Sequence, residues 1–236
     1  MKLLDMPEAD RIHLVAASDP WLRRHLRPDE VLEPREQARA QRILVEEAGS
    51  RFAYARAFLR TALAQALSAS PQEIVIGTGP HGKPFLAGSH WASGLLFNLS
   101  HCPGLTVIAA SRERLVGVDV EQPERALDRY RFAERFFHPL EQDRLAHLEH
   151  EAHREVFFRI WTQKEAWLKA IGVGLDLPLS SFAVTGDPEA EAGLACWDQD
   201  PEVHSKWRLH SLTLDRCPVT LCAEAGDWEL EVTTLL

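Results

Sequence analysis

No uninterrupted apolar stretch is long enough to span a membrane, and the opening MKLLDMPEAD lacks the apolar run of a signal peptide. Four cysteines, Cys102, Cys196, Cys217 and Cys222, show no C-x-x-C spacing, which removes the pattern that thiolate metal and redox motifs use. Four thiols in a chain of this size without an export signal imply reduced side chains and a cytoplasmic protein. Basic residues are outnumbered by acidic ones, 26 to 35, giving a net charge of −9 that argues against a general nucleic-acid binder. No low-complexity run and no repeat is evident to the eye. What the chain does have is 45% hydrophobic residues across 236 positions, ample for one large domain or two small fused ones.

The most informative stretch is FFRIWTQKEAWLKAIGVG, Phe157–Gly174, which predicts one helix ending in a glycine-rich turn at Gly172 and Gly174. Glu165 and Lys169 are four apart and share a face. Trp161 and Leu168 flank that face, while Ile160, Lys164, Trp167 and Ile171 cover the other side. A helix apolar on more than one side is packed on more than one side, so Glu165 is expected to lie off the open surface. Taken alone, a Glu–Lys pair at this spacing is commonly no more than helix-surface electrostatics.

Upstream, LVGVDVE alternates so that Val116, Val118 and Val120 take one face and Gly117, Asp119 and Glu121 the other. By itself this reads as a half-exposed edge strand with a polar outer face, the glycine opening space beside two carboxylates. Were Asp119, Glu121 and Glu165 to converge within ~4 Å, each pair would repel by about 4 kcal/mol at an effective dielectric of ~20. A fold holds such an arrangement with a cation. All-oxygen acidic ligands select a hard ion, Mg²⁺ or alternatively Mn²⁺, which keeps waters and takes substrate phosphates as further ligands.

GVDVE followed by WTQKEAWLKAIGVGL resembles the phosphopantetheinyl transferases, specifically the larger surfactin-synthetase-activating (Sfp) type. HGKPFL (His81–Leu86), FNLSHC (Phe97–Cys102), RFFHPLE (Arg135–Glu141) and LPLSSFAV (Leu177–Val184) extend the resemblance over most of the chain. It implies an α+β fold of two similar halves, a pseudo-dimer with antiparallel sheets packed against helices and the active site at their interface. It implies transfer of the 4'-phosphopantetheine arm of coenzyme A to a serine of an acyl or peptidyl carrier protein, releasing adenosine 3',5'-bisphosphate. The metal ligands would be Asp119, Glu121 and Glu165, with Glu165, Lys169 and His101 as the catalytic groups. Arg39, Arg51 and Lys83 would hold the 3'-phosphate end of coenzyme A, and Ser100, His101, Asp119 and Lys169 would complete its contacts.

Two readings from other classes stay open at this point: a metal-dependent phosphodiesterase acting on coenzyme A or nucleotides, and a non-catalytic coenzyme A-binding protein. Neither the pathway served nor the tolerance for acyl-coenzyme A is encoded in any motif.

In chain order, Leu3–Ser18 predicts a first strand and 34–67 a helical region carrying Arg35, Arg39, Arg42, Arg51, Arg56 and Arg60. Three strands with short turns, 95–99, 105–110 and 115–121, predict an antiparallel meander. Helices are expected at 126–137, 139–150 and 155–171, and strands after Pro178. The boundary is placed near Arg112–Arg114, giving an N-terminal half of 1–112 and a C-terminal half of 113–236 that carries the metal site. Smaller members of the superfamily combine chains, and this one has about the length of two, so a monomer is expected. Arg129, Arg131 and Arg135, beside Phe132 and Phe136, form the best basic-aromatic candidate for carrier docking, although a solvated helix face explains them equally well.

Overall fold

The computed structural model describes residues 2–236, the side chain of Leu175 excepted. Contacts gather the chain into two compact units. The first comprises the chain up to Gly79 together with Pro84–Glu113 and Trp228–Leu236; the second comprises Pro80–Lys83 and Arg114–Asp227. The expected division into 1–112 and 113–236 differs from this in three places, because residues 80–83 group with the second unit, and Glu113 and 228–236 with the first.

In the first unit, strand β1 (Arg11–Ser18) leads into α1 (Asp19–His25), α2 (Pro28–Val31), α3 (Pro34–Arg42) and α4 (Glu46–Ala66). Short strands β2 (Ile76–Thr78) and β3 (Pro84–Leu86) precede the hairpin of β4 (Leu95–Cys102) and β5 (Leu105–Arg112), which turns at Gly104 with φ +95°. The first strand does not reach back to Leu3. Pro7 has no N–H for a ladder, and Arg11 N donates to Glu8 O to close a turn instead. Leu3 and Leu4 still enter the core, beside Phe58, Leu63, Val15 and Ile108. The expected 34–67 helical region is two helices, separated at 43–45. Gly49 of α4 lies against Ala40 O of α3, where a β-carbon would stand 2.6 Å from that oxygen, so the two segments cross rather than continue.

The expected meander stops after two strands. At Glu113 the backbone turns with φ 58°, and β6 (Val116–Val120) pairs antiparallel with a strand a hundred residues on, Val116 opposite Ala223 and Val120 opposite Val219. The Arg114 guanidinium donates to Glu224 O and Ala225 O, and Leu115 N to the Glu224 carboxylate, which fixes that register. The second unit continues through α5 (Arg129–Phe136), α6 (Pro139–Ala146), α7 (His150–Ile171), β7 (Phe182–Val184), β8 (Leu194–Trp197), α8 (Val203–Lys206), β9 (Trp207–Leu214) and β10 (Cys217–Glu224). Its main sheet runs β6-β10-β9 with α7 packed across it. Strand β11 (Glu229–Leu235) then joins the first unit, parallel to β1, in a sheet ordered β11-β1-β5-β4. Every other pairing among the described residues is antiparallel, so the fold is α+β with mostly antiparallel sheets.

Helix α7 is buried on several sides, through Phe157, Ile160, Trp167 and Leu168 among others, and ends at Gly172 in the left-handed conformation the sequence predicts. Lys164 is fully buried. Its ammonium meets Glu141 Oε2 at 2.9 Å and donates to Leu179 O and Phe182 O, while the same carboxylate accepts from His138 N and Val184 N. A buried charge is tolerated when it is paired and hydrogen-bonded in this way. The knot fixes α7 against α6 and the 179–184 segment, and so sets where the next residue, Glu165, points.

Candidate active site

The side-chain-free face of Gly117 is not open space. A β-carbon there would stand 2.1 Å from Ala166 O and 2.3 Å from Ala170 N, so α7 lies backbone to backbone on β6. All five residues of β6 are buried, which replaces the half-exposed edge strand with a buried one. Period-two alternation puts Asp119 on the same face as Gly117, toward α7. Lys169 then reaches Asp119: Nζ donates to Oδ1 at 2.6 Å. Glu121, one residue beyond the strand, accepts from Arg125 Nη1 at 3.0 Å on both carboxylate oxygens. The Arg125 guanidinium lies 5.2 Å above the Trp161 ring.

Glu165 completes the group from α7. Burial, followed by repulsion from Asp119, pushes its carboxyl up to about 7, against the downward pull of Lys169. Glu121 is also raised, first by burial and then by Asp119, with Arg125 opposing. These shifts have the sign expected of desolvated carboxylates crowding one another. Among the described residues no group of three or more His, Cys, Asp or Glu side chains is gathered as a metal cluster. Instead, Lys169 and Arg125 counter the charge of Asp119 and Glu121. In donor chemistry, three carboxylates from one strand and one facing helix suit a hard divalent cation, which would relieve the same repulsion more completely.

The remaining sequence candidates are distributed as follows. Ser100 is buried and His101 exposed near the end of β4, in the first unit. Arg39 lies in the last turn of α3 with its guanidinium 5.0 Å from the Phe52 ring, and Arg51 stands next to Phe52 on α4 with a buried Nε that has no hydrogen-bond partner. Lys83, in the second unit, donates to Val116 O at 3.1 Å and Ala170 O at 2.8 Å, and burial lowers its ammonium to about 8. Asp119, Glu121, Glu165 and Lys169 are thus one neighbourhood within the second unit. On α5, Arg131 pairs with Asp128, Arg135 lies over the Phe136 ring, and Phe132 packs against Trp161 and Phe157. Two members of the site escaped the sequence reading. Arg125 was signalled only by its i,i+4 spacing from Glu121. The hydroxyl chain of buried Thr162 and Thr220 and half-buried Ser211, with 2.9 Å at each step, joins α7 to β10 and β9 beside Asp119, whose register partner is Thr220.

Comparison with known proteins extends over both units. Residues 115–222 match the family model described as the 4'-phosphopantetheinyl transferase superfamily. Residues 19–113 match the one described as 4'-phosphopantetheinyl transferase, N-terminal. The chain is 36% identical over 191 residues to the 4'-phosphopantetheinyl transferase HetI of Nostoc sp., covering 81% of this chain and 77% of that one. It is 30% identical over 197 residues to a phosphopantetheinyl transferase of Thraustochytrium sp., covering 79% and 68%. Over 203 residues it is 25% identical to the 4'-phosphopantetheinyl transferase Sfp of Bacillus subtilis, covering 86% of each.

Proposed function

Because the chain belongs to the 4'-phosphopantetheinyl transferase superfamily, we propose that it moves the 4'-phosphopantetheine arm of coenzyme A onto a carrier-protein serine. The observation that carries this reading is the gathering of Asp119, Glu121, Glu165 and Lys169 where α7 lies on β6. The serine oxygen attacks the β-phosphorus, the bond from that phosphorus to the bridging oxygen breaks, and adenosine 3',5'-bisphosphate leaves. Such a step depends on positioning and on neutralising phosphate charge. Lys169 supplies one fixed cation, and His101 is assigned to further phosphate oxygens. Arg39 and Arg51 are assigned to the 3'-phosphate, a role suited to the unpartnered Nε of Arg51. Glu165, which projects from α7 while Asp119 and Glu121 come from the strand side, is assigned to accept the serine proton.

Asp119, Glu121 and Glu165 would hold Mg²⁺, with Mn²⁺ as the alternative. When bound, that ion supplies charge neutralisation at the pyrophosphate. The same carboxylates set a pH dependence of stability without the ion. Glu165 has a folded-state pKa of about 7 against an ordinary 4.5, so between these values the folded protein holds a proton that the unfolded chain has lost. Stability therefore falls as pH rises through that window, by an amount on the order of 3 kcal/mol. In chelator, the Tm of the wild type should drop between pH 5 and 8 more steeply than that of Glu165→Gln, and Mg²⁺ should recover most of the wild-type loss at pH 8. Parallel Tm profiles for the two proteins would contradict the crowding of these carboxylates.

Carrier docking is assigned to the exposed side of α5, where Arg131, Arg135, Tyr130 and Phe136 meet solvent. We also read the protein as a cytoplasmic monomer; its four cysteines are free thiols, and among the described residues no helix is long and apolar enough to cross a membrane. The transfer reading is tested by chromatography of the nucleotide product. Adenosine 3',5'-bisphosphate should form only when an apo carrier with its serine intact is present. Equal release with a Ser→Ala carrier would make the protein a phosphodiesterase, and no release with any carrier would leave it a coenzyme A binder.

A further inference from the structure

Helix α7 ends with carbonyls that no residue of the helix can satisfy. Gly172 N takes Leu168 O, and the Lys83 ammonium takes Ala170 O. The second acceptor of Lys83 is Val116 O, at the start of β6, an edge strand of its sheet. These two carbonyls flank the place where α7 touches β6 through Gly117, and Ala170 N is one of the atoms in that contact. The methylene stem passes over Gly172, where a β-carbon would be 3.4 Å from Lys83 Cδ. A cation at a helix C-terminus is also favoured by the helix dipole.

We propose that Lys83 is a positioning residue. Its ammonium straps the C-terminal turn of α7 to the first residue of β6, and so holds Lys169 and Glu165 in register with Asp119. This rests on the transfer reaction proposed above and gives Lys83 a duty other than contact with the 3'-phosphate of coenzyme A. Two of its three N–H donors are committed to backbone, and the group is largely buried. The strap spans three residues before Asp119 on one side and one residue after Lys169 on the other.

The test compares Lys83→Met, which keeps length and loses the donors, with Lys83→Arg, which keeps charge and donors. For Lys83→Met, kcat should fall roughly tenfold or more while KM for coenzyme A stays within about twofold. Lys83→Arg should recover part of kcat. Hydrogen exchange read without substrate should show faster exchange in Lys83→Met at Val116–Val120 and at the 168–172 turn. A KM for coenzyme A raised about tenfold with kcat retained would overturn the proposal in favour of a phosphate contact. A lower Tm with unchanged kcat would overturn it in favour of plain stabilisation. If Lys83→Met does not fold, the kcat and exchange of Lys83→Arg and Lys83→Gln, ordered Lys, Arg, Gln, decide the matter, and no such order refutes the strap. Absence of transfer by the wild type would sink the underlying reaction while leaving the exchange result to judge the strap.

Discussion

Gly117→Ala is expected to lower kcat by about a hundredfold, although it adds a single methyl group to a strand. The added carbon would sit 2.1 Å from Ala166 O, 2.3 Å from Ala170 N and 2.9 Å from Ala170 Cα, all backbone atoms of α7. No side-chain rotation can relieve a clash with backbone, so the helix must lift from the sheet. Overpacking of this kind costs about 1–3 kcal/mol in stability. The greater loss is in the site, because Glu165 and Lys169 move with the helix while Asp119 and Glu121 stay on the strand side. Steady-state kinetics with coenzyme A and apo carrier, alongside circular dichroism to show a retained fold, provide the check. A variant that folds and turns over like the wild type would mean that the seating of α7 on β6 does not set the site.

Glu165→Gln should cut kcat by about 10²–10⁴ while Mg²⁺–coenzyme A still binds, since loss of a general base typically has that effect. Asp119 and Glu121 come from one strand and its end, and Lys169 and Arg125 lie against them. Glu165 projects from the other element, with a carboxyl raised to about 7 by burial and by Asp119. A cation held by the same carboxylates would lower their basicity, and a ligand role alone is the competing assignment for Glu165. Calorimetry of Mg²⁺–coenzyme A binding separates these possibilities. Binding lost together with kcat would make Glu165 a ligand alone, and a kcat within a few-fold of wild type would remove it from proton transfer.

Much of this site was legible because its parts follow short-range rules. Period-two alternation in LVGVDVE aligned Asp119 with Glu121, and period 3.6 in the WTQKEAWLK stretch aligned Glu165 with Lys169. The αL glycine at Gly172 was foreseen from the same local chemistry. What stayed hidden depends on partners far away in sequence. Alternation gives the face of β6 but not its neighbour, so its pairing with β10 rather than β5 was missed, as was the parallel pairing of β11 with β1. Gly117 read as space because a glycine shows what it lacks, not what comes to fill it. The motifs RFFHPLE and LPLSSFAV, and Lys164 within WTQKE, stood out without a stated job. Folded, they meet in one buried knot, with Lys164 held by Glu141, Leu179 O and Phe182 O. Likewise Lys83, which the resemblance gives to the 3'-phosphate, has two carbonyl acceptors that no local pattern announces.

The most direct measurement is intact-protein mass spectrometry of an apo carrier protein incubated with this enzyme, coenzyme A and Mg²⁺. The account predicts a mass increase of one phosphopantetheine per carrier serine, abolished by chelator and by Asp119→Ala. A carrier left at its apo mass by the wild type, across acyl and peptidyl carriers, would contradict it, as would full modification by Asp119→Ala in chelator.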